Sequence, residues 1–189
     1  MIPTHVADLD HLISQAGQQL DQLSALFDAV PAADWGWRPD ATRWSMTGHL
    51  AHLVIINEGY LGSISDVMRK AQEAGGPMGD GPYRHPRLAK WLANSQAPPP
   101  KKRMKTFRSM VPEVGASRDR AWADFRRHQS TLVEQIGGAR GLDVGRIRFG
   151  SPFLRILRLS VGTGFGLILA HNSRHIWLMD EVNRARVEG

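Results

Sequence analysis

The sequence contains no cysteine. Disulfides, cysteine-based zinc fingers, iron–sulfur clusters and thiol nucleophiles are therefore excluded. Long hydrophobic runs are missing too. The longest, around 161–170, is broken by glycines and is too short to span a bilayer. The opening residues Met1-Ile2-Pro3-Thr4-His5 show neither a basic stretch nor an apolar one, so no secretory signal is read there. A soluble, cytoplasmic protein with no membrane partner is the expectation.

Neither sign of charge dominates. Lys plus Arg is 24 and Asp plus Glu is 18, a net charge of +6 over 189 residues. Much of that surplus sits in Lys101-Lys102-Arg103-Met104-Lys105 with Arg108, directly after Pro98-Pro99-Pro100. A short basic run beside prolines (98–108) reads as a solvated loop, and no nucleic-acid motif accompanies it. A small-molecule substrate, not nucleic acid, is the expected partner. What the chain does have is apolar material, at 42% hydrophobic residues, which is enough for a packed core and excludes wholesale disorder. It also has eight histidines.

Four helical segments can be read. The first runs from about Thr4 to Ala29, with Leu9, Ile13, Ala16, Leu20, Leu23 and Phe27 spaced by three and four, and Pro31 ends it. The second starts near Ser45, a suitable cap, and runs to about Ala74, where Gly75-Gly76-Pro77 stops it. Residues 75–112 are rich in Gly, Pro and basic side chains. They read as a long irregular insertion with one helical turn near Arg87–Ala93, a candidate lid or interface. The third helix spans roughly Val114–Ile136 and is closed by Gly137-Gly138. After a connector, Ala139 to Pro152, whose alternating Val144, Ile147 and Phe149 read as an extended stretch or a short hairpin, the last helix begins between Phe153 and Ser160 and continues to about Ala185. Glycines at 162, 164 and 166 weaken its start but allow close approach of another helix. One all-α domain over 1–189, an antiparallel four-helix bundle with a long loop between helices 2 and 3, is the expected fold.

The chemical signal lies in the histidines. His171 and His175 are spaced i, i+4 and so share one helix face, a spacing at which two imidazoles reach one metal ion. The residues between them, Asn-Ser-Arg, offer no general base. In the second helix His49 and His52 share a face among Leu50, Leu53 and Ile56. A histidine buried there needs a hydrogen bond or a metal. One histidine from this helix and two from the last would make a three-imidazole set with a coordination position left for water or substrate. The competing reading is a satisfied core histidine. Asn57, Glu58, Tyr60 and Asn172 are candidates for the rim of such a site, or surface and inter-helix hydrogen-bonding residues. Arg174 either forms a salt bridge between helices or binds an acidic cofactor. Trp35, Trp37 and Trp44 read as packing residues of the connector, and Trp122 and Trp177 as core or dimer surface.

Arg38-Pro39, Arg43-Trp44-Ser45, His52-Leu53 eight residues after that tryptophan, Ser151-Pro152-Phe153 and His171-x-x-Arg174-His175 together resemble the DinB/YfiT-like (DinB_2) family of metal-binding four-helix bundles. The resemblance covers most of the chain. It implies an up-down-down-up bundle, a homodimer, and a divalent metal, zinc or nickel, held by His52, His171 and His175. It also selects His52 over His49 and leaves His49 beside the site. Transfer of a low-molecular-weight thiol, or hydrolysis, is the activity it implies. With no cysteine in the chain, such a thiol would come from outside. The family's glutamine three positions after the last ligand is replaced here by Leu178. The alternative is a non-catalytic stress-response or interaction bundle with structural or vestigial histidines.

Overall fold

The computed structural model describes residues 1–99, 106–154 and 156–189. The basic run 101–105 lies outside the described residues. The chain is mostly helical, in the order α1 (Ala7–Ala29), α2 (Met46–Glu73), α3 (Arg87–Ser95), α4 (Arg118–Gly138) and α5 (Val161–Glu188). Two short strands, β1 (Arg148–Gly150) and β2 (Arg158–Ser160), pair antiparallel just before α5. Among the described residues no helix is long and apolar enough to cross a membrane.

The helix boundaries follow from local chemistry. The Ser45 hydroxyl accepts from the Gly48 amide to start α2, Ser117 accepts from Arg120 to start α4, and Ser160 accepts from Thr163 to start α5. Each supplies a partner for an amide that the first helical turn leaves without one. Three expectations shift. Residues 4–6 precede α1, because the Thr4 amide and hydroxyl turn back onto the Asp8 carboxylate. Helix α4 starts at Arg118, and Val114 lies fully exposed outside it. Gly137 and Gly138 do not close α4 but belong to it, and the turn with positive φ comes at Gly141. Ser151-Pro152-Phe153 lies in the connection between β1 and β2, ahead of α5.

The four long helices bury a shared core. Helices α1 and α2 each pack on both α4 and α5. The buried face of α1 carries Leu9, Leu12, Leu23 and Leu26, and each such side chain contributes roughly 1.5–3 kcal/mol on burial. Cross-ties set the register: Gln19 Nε2 donates to the Leu169 carbonyl (2.7 Å), Gln135 Nε2 donates to the Leu61 carbonyl (3.0 Å), and Arg140 pairs with Asp10.

The glycines that open α5 are explained by what lies against them. A Cβ on Gly166 would sit 2.7 Å from the Met1 carbonyl oxygen, and one on Gly162 would sit 2.8 Å from His85 and 3.2 Å from Pro3. The chain's first residues therefore run along the start of α5. They are held by His85, whose Nε2–H donates to the Pro3 carbonyl (2.7 Å) while Nδ1 accepts from the Ser160 hydroxyl (2.7 Å). A Cβ on Gly164 would meet the Phe149 ring at 2.8 Å and the α2 residue Ile64 at 2.9 Å. Close approach of another helix, expected from the sequence, thus holds at Gly164, while Gly162 and Gly166 accommodate loop and N-terminal residues. Gly164→Ala gains helix propensity of about 1 kcal/mol but forces two well-packed neighbours apart. We expect a net loss of about 1–3 kcal/mol, measured by denaturant unfolding.

Candidate metal centre

Helices α2 and α5 bring four imidazoles together. His49 and His52 come from the first two turns of α2, His171 and His175 from the middle of α5. Candidate ligand nitrogens of His52, His171 and His175 all lie within 4.8 Å of one another. Ring centroids are 4.5 Å apart for His171 and His175, and 4.7 Å for His52 and His175. His49 stands behind His175, with Nδ1 to Nδ1 at 2.9 Å.

The outer nitrogens are engaged by acceptors. His52 Nδ1–H donates to the Met110 carbonyl (2.7 Å), and His171 Nδ1–H donates to Gln96 Oε1 (3.2 Å). A neutral imidazole carries one proton, so both Nε2 atoms are left as bare lone pairs. Those two Nε2 atoms face each other at 3.0 Å. Two lone pairs at that distance repel unless a proton or a cation lies between them. A proton is poorly held, because burial, with the neighbouring charges of His52 and Arg174, pushes the His171 pKa down to about 3. Burial likewise lowers His52 against the opposing pull of the Met110 carbonyl, takes His49 to about 3, and holds His175 well below its ordinary value, helped by the charges of the other three histidines. When His175 donates its Nδ1–H to His49, its Nε2 is bare as well. The donor set is then three neutral imidazoles with their outer nitrogens fixed, an arrangement that suits a divalent metal.

The centre opens into a cavity of about 700 Å³. Trp44 lies across the histidines, its ring 4.9 Å from that of His52 and 5.5 Å from that of His49. The absence of a side chain at Gly48 admits it, since a Cβ there would be 3.2 Å from Trp44 Cβ. Trp44 is thus a wall of the site as well as a packing residue. Arg174, nearly buried, also lines the cavity and donates to the Ser95 carbonyl of α3 (3.3 Å).

Of the expected rim residues, Tyr60 does line the cavity. Glu58 is exposed on the surface, and Asn57 and Asn172 are buried in the core with side-chain oxygens that find no partner among the described residues. Trp177 and Leu178 line the cavity, while Trp35 and Trp122 pack in the interior against Phe27. Trp37 is partly exposed.

Three contributors escaped the sequence reading. Gln96 and Met110 come from the irregular insertion, where no periodicity marks them. Glu181, which also lines the cavity, could have been found: it continues the α5 face of Arg174 and Leu178 at steps of four and three.

The DinB_2 family description, DinB superfamily, matches residues 15–179. The chain belongs to the DinB superfamily. The match takes in all three clustered histidines of this DinB chain. No curated protein and no solved structure matches it.

Proposed function

We propose that this DinB-superfamily protein is a metal-dependent enzyme, a low-molecular-weight-thiol S-transferase or a hydrolase. In this reading His52, His171 and His175 hold one zinc or nickel ion, with a coordination position facing the cavity. The observation that carries the reading is the pair of bare Nε2 atoms 3.0 Å apart, which asks for a cation between them. The ion would supply Lewis-acid chemistry, lowering the pKa of a bound water or thiol. The chain's own residues do the rest. The Met110 carbonyl, Gln96 and His49 fix ring orientation. Trp44 and apolar side chains wall the cavity beside the rings.

The same proposal includes an up-down-down-up bundle forming one domain over 1–189. Pairs of contacts support it. Residues 10 and 16 of α1 meet 140 and 129, so α1 and α4 run in opposite directions. Residues 61 and 72 of α2 meet 135 and 138, so α2 and α4 run the same way. The His49–His175 and His52–His171 pairs set α5 opposite to α2. It further includes a cytoplasmic homodimer acting on a small molecule and not on nucleic acid. A purely structural role for the histidines is the competing reading.

Elemental analysis of protein purified without a histidine tag tests the metal. About one zinc or nickel ion per chain is expected. Turnover of an electrophile with a low-molecular-weight thiol, or of a small ester or amide, tests the activity. Metal-free protein, or loaded protein idle across both panels, would support the structural role instead. Gln96→Leu removes the acceptor that orients His171. It is expected to weaken metal affinity about 10- to 100-fold, read by competition with a chromogenic chelator.

A further inference from the structure

The two ends of the cavity differ in chemistry. The His49–His175 and His52–His171 pairs put α2 and α5 side by side in opposite directions. Beyond His49 and His175 the lining is mixed, with Trp177, Leu178 and Val182 beside the polar and charged Thr42, Arg43 and Glu181. Beyond His52 and His171 it is Ile56 and Tyr60 from α2, Leu167 and Ile168 from α5, and Leu154 and Leu157 from the hairpin. No charged side chain lines that half among the described residues. The Tyr60 hydroxyl is already engaged with Ser151 Oγ at 3.3 Å. The hairpin stands at the far end: the Ser151 amide donates to the Leu157 carbonyl (2.8 Å), and Phe153 packs edge-on to Tyr60 at 5.5 Å.

From His52 to Tyr60 is eight residues of helix, about 12 Å. A polar ligand group in that half would lose its hydration and gain no partner. An elongated, aliphatic arm with the hairpin leucines at its far end suits a hydrocarbon chain. At its open end lie the histidines and the Arg174 guanidinium, which suit an anionic or carbonyl head.

We propose that this half of the cavity is a hydrocarbon-chain site, taking the unbranched aliphatic tail of an acyl ligand whose carboxyl-type head lies at the histidines. The position of the head rests on the reading of the histidines as the reacting centre. The tail site rests on the lining alone.

The test is calorimetric titration of the full chain, zinc-loaded and metal-free, with butanoate, hexanoate, octanoate and decanoate. The shared head cancels along the series. Each pair of added methylenes is expected to tighten binding about 15-fold until the arm is full, after which affinity levels off. Leu157→Trp fills the hairpin end of the arm, so affinity should level off at a shorter chain. Leu154→Trp serves the same purpose if the first variant does not fold. Equal affinity along the series, or a chain-length dependence that neither tryptophan changes, overturns the proposal. Zinc content of the same samples keeps the two readings apart. A protein that takes up neither zinc nor nickel on loading yet shows the full chain-length dependence would sink the metal reading alone, and a zinc-loaded protein with no such dependence would sink this one alone.

Discussion

Stripping the protein with a chelator is expected to lower its melting temperature by about 8–16 °C. An ion present at a thousand times its Kd and bound only to the folded chain adds about 4.1 kcal/mol. For a chain of this size each kcal/mol moves the midpoint by ~2–4 °C. The loss should be restored by zinc or nickel. His171→Ala and His175→Ala each delete one of three donors. Losing an outer partner costs about 10- to 100-fold in affinity, and losing a ligand should cost more, so the chelator-sensitive shift should vanish in both variants. Calorimetric melting with and without chelator reads it directly. Superimposed curves for wild-type protein of known metal content would remove the case for a bound ion that matters to the fold.

Acid should unfold the metal-free protein well before ordinary carboxylate titration does. The buried histidines have folded pKa values below the usual 6.5, with His49 and His171 at about 3. Between those limits the unfolded chain takes up protons that the folded chain refuses. Stability is therefore complete above about pH 6.5 and falls as pH drops below it. Each refused proton costs ~1.4 kcal/mol per pH unit. For these two groups, going from pH 6.5 to about 4.5 costs roughly 5 kcal/mol, comparable to the whole stability of a marginal domain. Urea unfolding at pH 7.5 and at about 4.5 measures it. His49→Phe keeps a ring in place and removes one of the two groups, so the acid loss should shrink. A stability that is flat between those pH values would mean that the imidazoles are not neutral and buried as described.

The long helices were legible because their buried faces repeat at helical spacing, as with Leu9, Ala16 and Leu23 in α1. Ser45 announced its helix by its chemistry. The pairing of His171 with His175 was legible for the same reason, since a step of four puts both on one helix face, whereas spacing left His49 and His52 equal and only the family resemblance chose His52. The boundaries near Thr4, Val114 and Gly138 were not. There the outcome depended on a local choice, such as whether Thr4 continues a helix or turns onto Asp8, and periodicity does not report such choices. Gln96 and Met110 lay further out of reach. Each acts through one contact with a residue dozens of positions away, from a segment with no repeating pattern. Trp44 was read as packing, and it does pack, but what it packs on is the imidazole cluster. Which surface an aromatic ring covers is decided by the tertiary fold and not by its neighbours in sequence.

The amino-terminal residues lying on the glycines of α5 make the two ends of the polypeptide one mechanical unit. From Gly166, where Met1 rests, to His171 is five residues, about 7 Å along the helix. Residues 1–3 thus rest on the same rod that carries two of the imidazoles, so how they seat bears on that rod only about a turn and a half from the centre, whereas Val187 in its last turn is largely exposed.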